Sequence, residues 1–157
     1  MKVILQKDIN APAETVWNIV GRQFANVADW ASSLDYSHPI DADDIPAGVQ
    51  VAQTAPVAGR KTPNPLGELI EILIYYSDDE RTFTFTAFGL PRAVSRMDNT
   101  TTVVELAPNR SRVTFAIDGE LRGLFKLIGP LLQRRFATSK RGPAGVIEDL
   151  KRVAEGR

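Results

Sequence analysis

The stretch Gly123–Ala154, GLFKLIGPLLQRRFATSKRGPAGVIEDLKRVA, decides the fold. Its apolar residues Phe125, Ile128, Leu132, Phe136, Val146, Leu150 and Ala154, with Ser139, recur at three, four or seven residues and form one stripe of an amphipathic helix. Lys126, Gln133, Arg134, Lys140, Arg141, Glu148 and Lys151 fill the other face. A helix of that length runs about 45 Å and needs something to bury its stripe against. Two sites interrupt it. Pro130 has no amide hydrogen to give, so Gly129-Pro130 marks a kink or a first turn, and Gly142-Pro143 marks a stop and restart. The expectation is a broken helix lying across a sheet.

Upstream the pattern is mostly that of strands. Lys2–Ile9 is β-branched and ends at Asn10-Ala11-Pro12, which opens a first helix carrying Val16, Trp17, Ile19 and Val20. A second short helix follows through Phe24, Val27 and Trp30. Strands are predicted over 34–40, 47–54, 67–76, 81–88, 93–107 and 111–119. Between them, 55–66 (APVAGRKTPNPL) shows no period and reads as a long connection of the lid or binding-loop kind. The order β-α-α-β-β-β-β-β-β-α, with strands in a run and the helix segregated, indicates an α+β fold with a seven-stranded curved antiparallel sheet.

Composition narrows the functional classes. The 157 residues suit a single domain spanning 1–157. Nineteen Lys/Arg balance nineteen Asp/Glu, which argues against a dedicated nucleic-acid binder. The balance is local, however. Nine Lys/Arg lie from Leu121 onward against three acids, while 35–44 carries four aspartates. With no cysteine and a single histidine, neither disulfides nor a transition-metal site are expected. No cofactor is implied, since the isolated glycines lack phosphate-cradling spacing. The amino-terminal apolar run is too short for a signal peptide and no segment approaches a membrane span, so a cytoplasmic protein is expected.

The opening INAPAETVWNIVG (9–21) with FANVADW (24–30), the segment EILIYYSDDER (71–81), the aromatic strand Thr82–Phe85 and the hairpin VELAPNRSRVTF (104–115) resemble the START-like, or SRPBCC, helix-grip superfamily. The similarity is closest to its polyketide cyclase/dehydrase and lipid-transport-like branch and extends over essentially the whole chain. It implies a sheet wrapped around the last helix, with a ligand cavity between them. The pocket glutamate of the related plant hormone receptors falls on Glu71. The asparagine of a frequent Asn-Tyr-x-Ser strand falls on Asn99, but this chain lacks the tyrosine, and the Gly142-Pro143 break is a second departure.

Candidate site residues follow. Glu71 interrupts an apolar strand: period-two alternation turns Ile70, Ile72 and Ile74 inward, whereas the resemblance turns Glu71 inward and leaves the isoleucines for a partner subunit in a possible homodimer. Phe83, Phe85, Val113, Phe115 and Ile117 are expected on the concave face, with Thr100 and Thr102 presenting hydroxyls there. Trp30 and Tyr36 are placed near the mouth, and Leu132 and Phe136 on the helix side. The lid would be Gly59, Pro63 and Pro65, with Leu90 and Pro91 beside it. The expected function is binding of a small, largely hydrophobic, lipid- or polyketide-like molecule without stable membrane insertion. The alternative is a cofactor-independent cyclase or dehydratase using Glu71, Tyr36 or His38 as acid/base groups.

Overall fold

A computed structural model describes residues 1–64 and 67–157. Strands β1 (Lys2–Ile9), β2 (His38–Pro39), β3 (Gly59–Asn64), β4 (Gly67–Ser77), β5 (Thr82–Phe88), β6 (Val94–Ala107) and β7 (Arg110–Leu121) form one antiparallel sheet in the order β1-β7-β6-β5-β4-β3-β2. The meander from β2 to β7 is sequential, and β1 closes on β7 over its full length, Lys2 opposite Asp118 and Ile9 opposite Ser111. Seven strands and their antiparallel order agree with the sequence reading. Two boundaries do not: 47–54 is not a strand, and 34–40 shrinks to His38–Pro39.

The third strand overturns the lid expectation. Gly59–Asn64 is paired residue by residue with β4, from Gly59 opposite Ile72 to Asn64 opposite Gly67. Pro63 fits because β2 reaches only as far as Lys61, so beyond that point β3 is a sheet edge and needs no amide on its outer side. Gly59 is required by close approach: a β-carbon there would sit 2.2 Å from the Glu71 carbonyl oxygen. Proline content signalled a loop where the chain uses an edge. Pro65 lies outside the described residues.

Helix α1 (Ala13–Trp17) runs into a π-helical turn, Asn18–Arg22, and then a 3₁₀ segment, Phe24–Asp29. Pro12 precedes α1 and no side chain caps it; Asn10 instead donates its backbone N–H to Glu155 (2.8 Å). The turn packs the Trp17 indole against Gly21, where any β-carbon would fall 2.5 Å from the ring. Trp17 is the centre of an aromatic core with Tyr76 (5.4 Å) and Phe83 (6.0 Å), extended by Phe24 against Phe83 (5.2 Å) and Phe85 (5.8 Å). The Trp17 Nε1–H donates to Asp78 (2.8 Å), a bond that is the main cause lowering the pKa of that carboxyl. Burial pushes the neighbouring Tyr76 hydroxyl up to about 12.

The carboxyl-terminal stretch is broken, as its prolines imply. A 3₁₀ segment (Gly123–Ile128) leads into α2 (Gly129–Thr138), and after a turn α3 (Pro143–Ala154) lies on the sheet. Only α3 buries residues, Ile147 and Leu150. The predicted stripe therefore reaches the core only at its end: Phe125 and Ile128 are exposed and α2 has no buried residue. Glu155 fastens the end of α3 to the end of β1. It accepts from Lys151 Nζ (2.6 Å) and the Asn10 amide, and Lys151 also donates to the Asp8 carbonyl oxygen (3.0 Å). These donors, Lys151 first, hold the Glu155 carboxyl down to about 2.

Two outcomes test this packing. Because the folded state depresses the Glu155 pKa, its stabilisation is complete above the ordinary carboxylate range and disappears as pH falls through about 2. Glu155→Gln should lower Tm by several degrees at pH 7, and the gap from wild type should close as the pH approaches 2. Arg60 and Glu71 are opposite one another on β3 and β4 and form a buried ion pair. Arg60→Met, which strands the Glu71 carboxylate, should cost about 3–5 kcal/mol, and Arg60→Met/Glu71→Leu should recover most of it, as read by chemical unfolding.

Candidate functional site: a cavity between the sheet and the carboxyl-terminal helices

A cavity of about 540 Å³ lies over the concave face of the sheet. Its floor follows strand periodicity. Leu69 and Glu71 come from β4, Phe83 and Phe85 from β5, Met97, Asn99 and Thr101 from β6, and Phe115 and Ile117 from β7. β3 adds Arg60, Thr62, Pro63 and Asn64. Val20, Val27, Trp30, Ser33, Leu34 and Asp35 close one side, and Phe136, Arg141, Gly142, Pro143 and Val146 close the other. The break between α2 and α3 is thus part of the wall.

The polar groups of this wall fall into two kinds. The first are satisfied. Glu71 is 8% exposed and paired with Arg60, whose Nη1 also donates to the Phe24 carbonyl oxygen (2.8 Å) and whose guanidinium lies over the Phe24 ring (3.9 Å to its centroid). Thr101, fully buried, donates to Asn99 Oδ1 (3.3 Å). The second kind are not. Trp30 Nε1 and Ser33 Oγ are buried atoms with no hydrogen-bond partner among the described residues. An orphaned buried donor costs about 1–3 kcal/mol; neither atom has surface open to the cavity, so each meets an acceptor oxygen there only if its side chain turns toward it.

Of the residues expected from sequence, Trp30, Glu71, Phe83, Phe85, Phe115 and Phe136 line the cavity. Glu71 points inward and the alternation argument fails, because it assumed that the inward residues of β4 must be apolar. A bulge between Leu73 and Tyr75 then restores Tyr76 to the core side. On the opposite face Ile72 is fully buried within the chain and Ile70 partly, while Ile74 is exposed.

Thr100 and Thr102 are one residue out of register. They lie on the other face, where Thr100 bonds Thr84 (2.8 Å) and Thr102 bonds Thr82 (3.3 Å). Their neighbours Asn99 and Thr101 face inward because they stand opposite Phe85 and Phe83. Leu132, Gly59, Leu90 and Pro91 are not on the wall, while Pro63 is there as a strand residue. Tyr36 and His38 are also absent from it. They stack on each other (5.2 Å between centroids), and Tyr36 donates to Glu68 (2.7 Å), a bond that raises its pKa. The three acid/base candidates therefore do not converge on the cavity. The residues missed were Arg60, Ser33, Met97 and Arg141; Arg60 was legible only through its pairing with Glu71.

No helix among the described residues is long and apolar enough to cross a membrane, and no cluster of three or more metal-ligating side chains occurs among them.

No curated protein matches the sequence. Solved structures match along its length at low identity, which speaks to fold alone. A START superfamily protein from Mycobacterium smegmatis is 15% identical with a TM-score of 0.66, over 99% of this chain and 95% of that one. A truncated norcoclaurine synthase from Thalictrum flavum is 11% identical with a TM-score of 0.68, over 100% and 94%. The di-domain ARO/CYC BexL from the BE-7585A biosynthetic pathway is 14% identical with a TM-score of 0.74; this chain is covered to 96% and spans 45% of that one. Each shares the overall fold over the aligned residues. The family model for polyketide cyclase/dehydrase and lipid transport matches residues 1–155, and the chain belongs to that family.

Proposed function

We propose that the chain, acting as one START-like domain, binds a small and mostly apolar molecule in the cavity between sheet and helices. The observation that carries this is the pairing of an apolar, aromatic-floored space of about 540 Å³ with two buried donors, on residues of its wall, that no described residue satisfies. Ligand sites commonly combine an apolar wall with a few fixed polar groups that set orientation. Here Trp30 Nε1 and Ser33 Oγ, once their side chains turn toward the cavity, would take a carbonyl, carboxylate or sulfonate oxygen, and the rings of Phe83, Phe85 and Phe115 would take the body. Asn99 adds an amide on the floor. The Arg60–Glu71 pair is already neutralised and hydrogen-bonded, so its contribution is a fixed dipole and a rigid wall rather than a free charge. The family's name and the cyclase and synthase among its structural likenesses are compatible with chemistry in such a cavity; of the carboxylates on its wall, Glu71 is paired with Arg60 and Asp35 is the other.

Mass spectrometry of the native protein purified from cells should show a retained molecule with an apolar body and at least one acceptor oxygen. A direct test uses 1-anilinonaphthalene-8-sulfonate, an aromatic probe with acceptor oxygens. Asn99→Phe, which puts a ring into the space and removes the acceptor of the Thr101 hydroxyl, should weaken its binding by at least tenfold in protein that remains folded by circular dichroism, with Tm lowered by a few degrees. Unchanged affinity would put the probe on the exposed apolar surface instead and would remove the case for the cavity.

A further inference from the structure

The segment Arg122–Arg141 carries a second feature that the cavity does not use. Leu124 is 82% exposed, Leu127 79% and Leu131 63%, and they follow one another at three and four residues along the 3₁₀ segment and the start of α2. In a 3₁₀ turn residues three apart are eclipsed, so Leu124 and Leu127 stand on one side, and Leu131 continues that side one α-helical turn later. Phe125 and Ile128 are exposed beside them. Scattered exposed leucines are ordinary on a protein surface, but five large exposed apolar side chains within the eight residues 124–131 are not.

Charge distinguishes what could cover them. Between Arg122 and Ile147 there are six cations, Arg122, Lys126, Arg134, Arg135, Lys140 and Arg141, and no acid. None of the six forms an ion pair among the described residues, whereas most Lys and Arg elsewhere do. A second copy of this chain would bring the same unpaired positive charge to the contact, and its repulsion disfavours a self-complementary interface. Protruding aliphatic side chains flanked by unpaired cations match a surface that is apolar at depth and negative at its edge.

We infer that the Leu124–Leu127–Leu131 face docks on an anionic lipid bilayer, with the leucines at the acyl boundary and the six cations among the headgroups. The same segment supplies Phe136 and Arg141 to the cavity wall, so docking brings the cavity next to the membrane surface. The inference rests on exposed residues and stands whether or not the cavity holds a ligand.

Vesicle flotation tests it. The protein should float with vesicles of equimolar phosphatidylcholine and phosphatidylglycerol, bind pure phosphatidylcholine at least tenfold more weakly, and be released progressively by salt. Leu124→Asp/Leu127→Asp and Arg134→Glu/Arg135→Glu should each lose more than tenfold in affinity. All four side chains point to solvent, so Tm should not move. Failure of the wild type to float, or flotation unaffected by either pair, overturns the inference. So does concentration-dependent dimerisation in sedimentation velocity that Leu124→Asp/Leu127→Asp abolishes, because the face would then belong to a second copy.

Discussion

The Arg60–Glu71 ion pair is the constraint on which the cavity depends. It joins β3 to β4 at opposed positions, and it sits in the cavity wall. Arg60 reaches further, donating to the Phe24 carbonyl oxygen and covering the Phe24 ring, with Phe85 5.4 Å from the guanidinium. One planar cation therefore ties the sheet edge, the sheet floor and the 3₁₀ segment together. Arginine suits this better than lysine, since its flat fork can bond a carboxylate and a carbonyl in its plane while stacking on aromatic faces. A buried pair of this kind gives modest net stability. Its value lies in geometry: it fixes an edge strand that has a partner on its outer side for only two residues.

A wall held in this way can remain apart from the helices without collapsing onto them. The aromatic core of Trp17, Phe24, Tyr76 and Phe83 fills the space beneath α1, and α3 seals the adjacent region through Ile147 and Leu150. Between these two packed zones the break at 139–142 leaves Phe136 and Val146 on either side of an opening. The break thus has a structural use. A continuous helix in phase with its own stripe would have buried Phe125, Ile128 and Leu132 on the sheet; the broken one buries residues only from α3 and leaves Phe125 and Ile128 exposed.

How much of this was legible in the sequence depends on whether a residue's neighbours in space are also marked in the chain. Phe83, Phe85 and Phe115 announce the inner face by alternation, and the antiparallel meander follows from the turns. The run Asn99-Thr100-Thr101-Thr102 carries no apolar marker, so its facing could be set only by cross-strand register with Phe85 and Phe83; the choice of Thr100 and Thr102 was accordingly wrong by one residue. Glu71 was ambiguous for a related reason, because its partner Arg60 lies eleven residues upstream in a stretch whose prolines read as a loop. Trp30 was legible as a residue near the mouth, but not its unsatisfied Nε1, since the absence of a partner is a property of the folded surroundings. Tyr36 and His38, plausible by type, were removed by geometry.

The chain contains two tryptophans, and they make the central claim measurable. Trp17 Nε1 is already bonded to Asp78, whereas Trp30, a residue of the cavity wall, has a buried Nε1 with no partner among the described residues. In a two-dimensional ¹H–¹⁵N spectrum the two indole N–H groups give separate peaks. Titration with 1-anilinonaphthalene-8-sulfonate should move the Trp30 indole peak strongly downfield, as a new hydrogen bond forms, and leave that of Trp17 nearly in place. A bound probe that leaves the Trp30 indole unmoved would contradict the account of the cavity as a site that receives an acceptor oxygen.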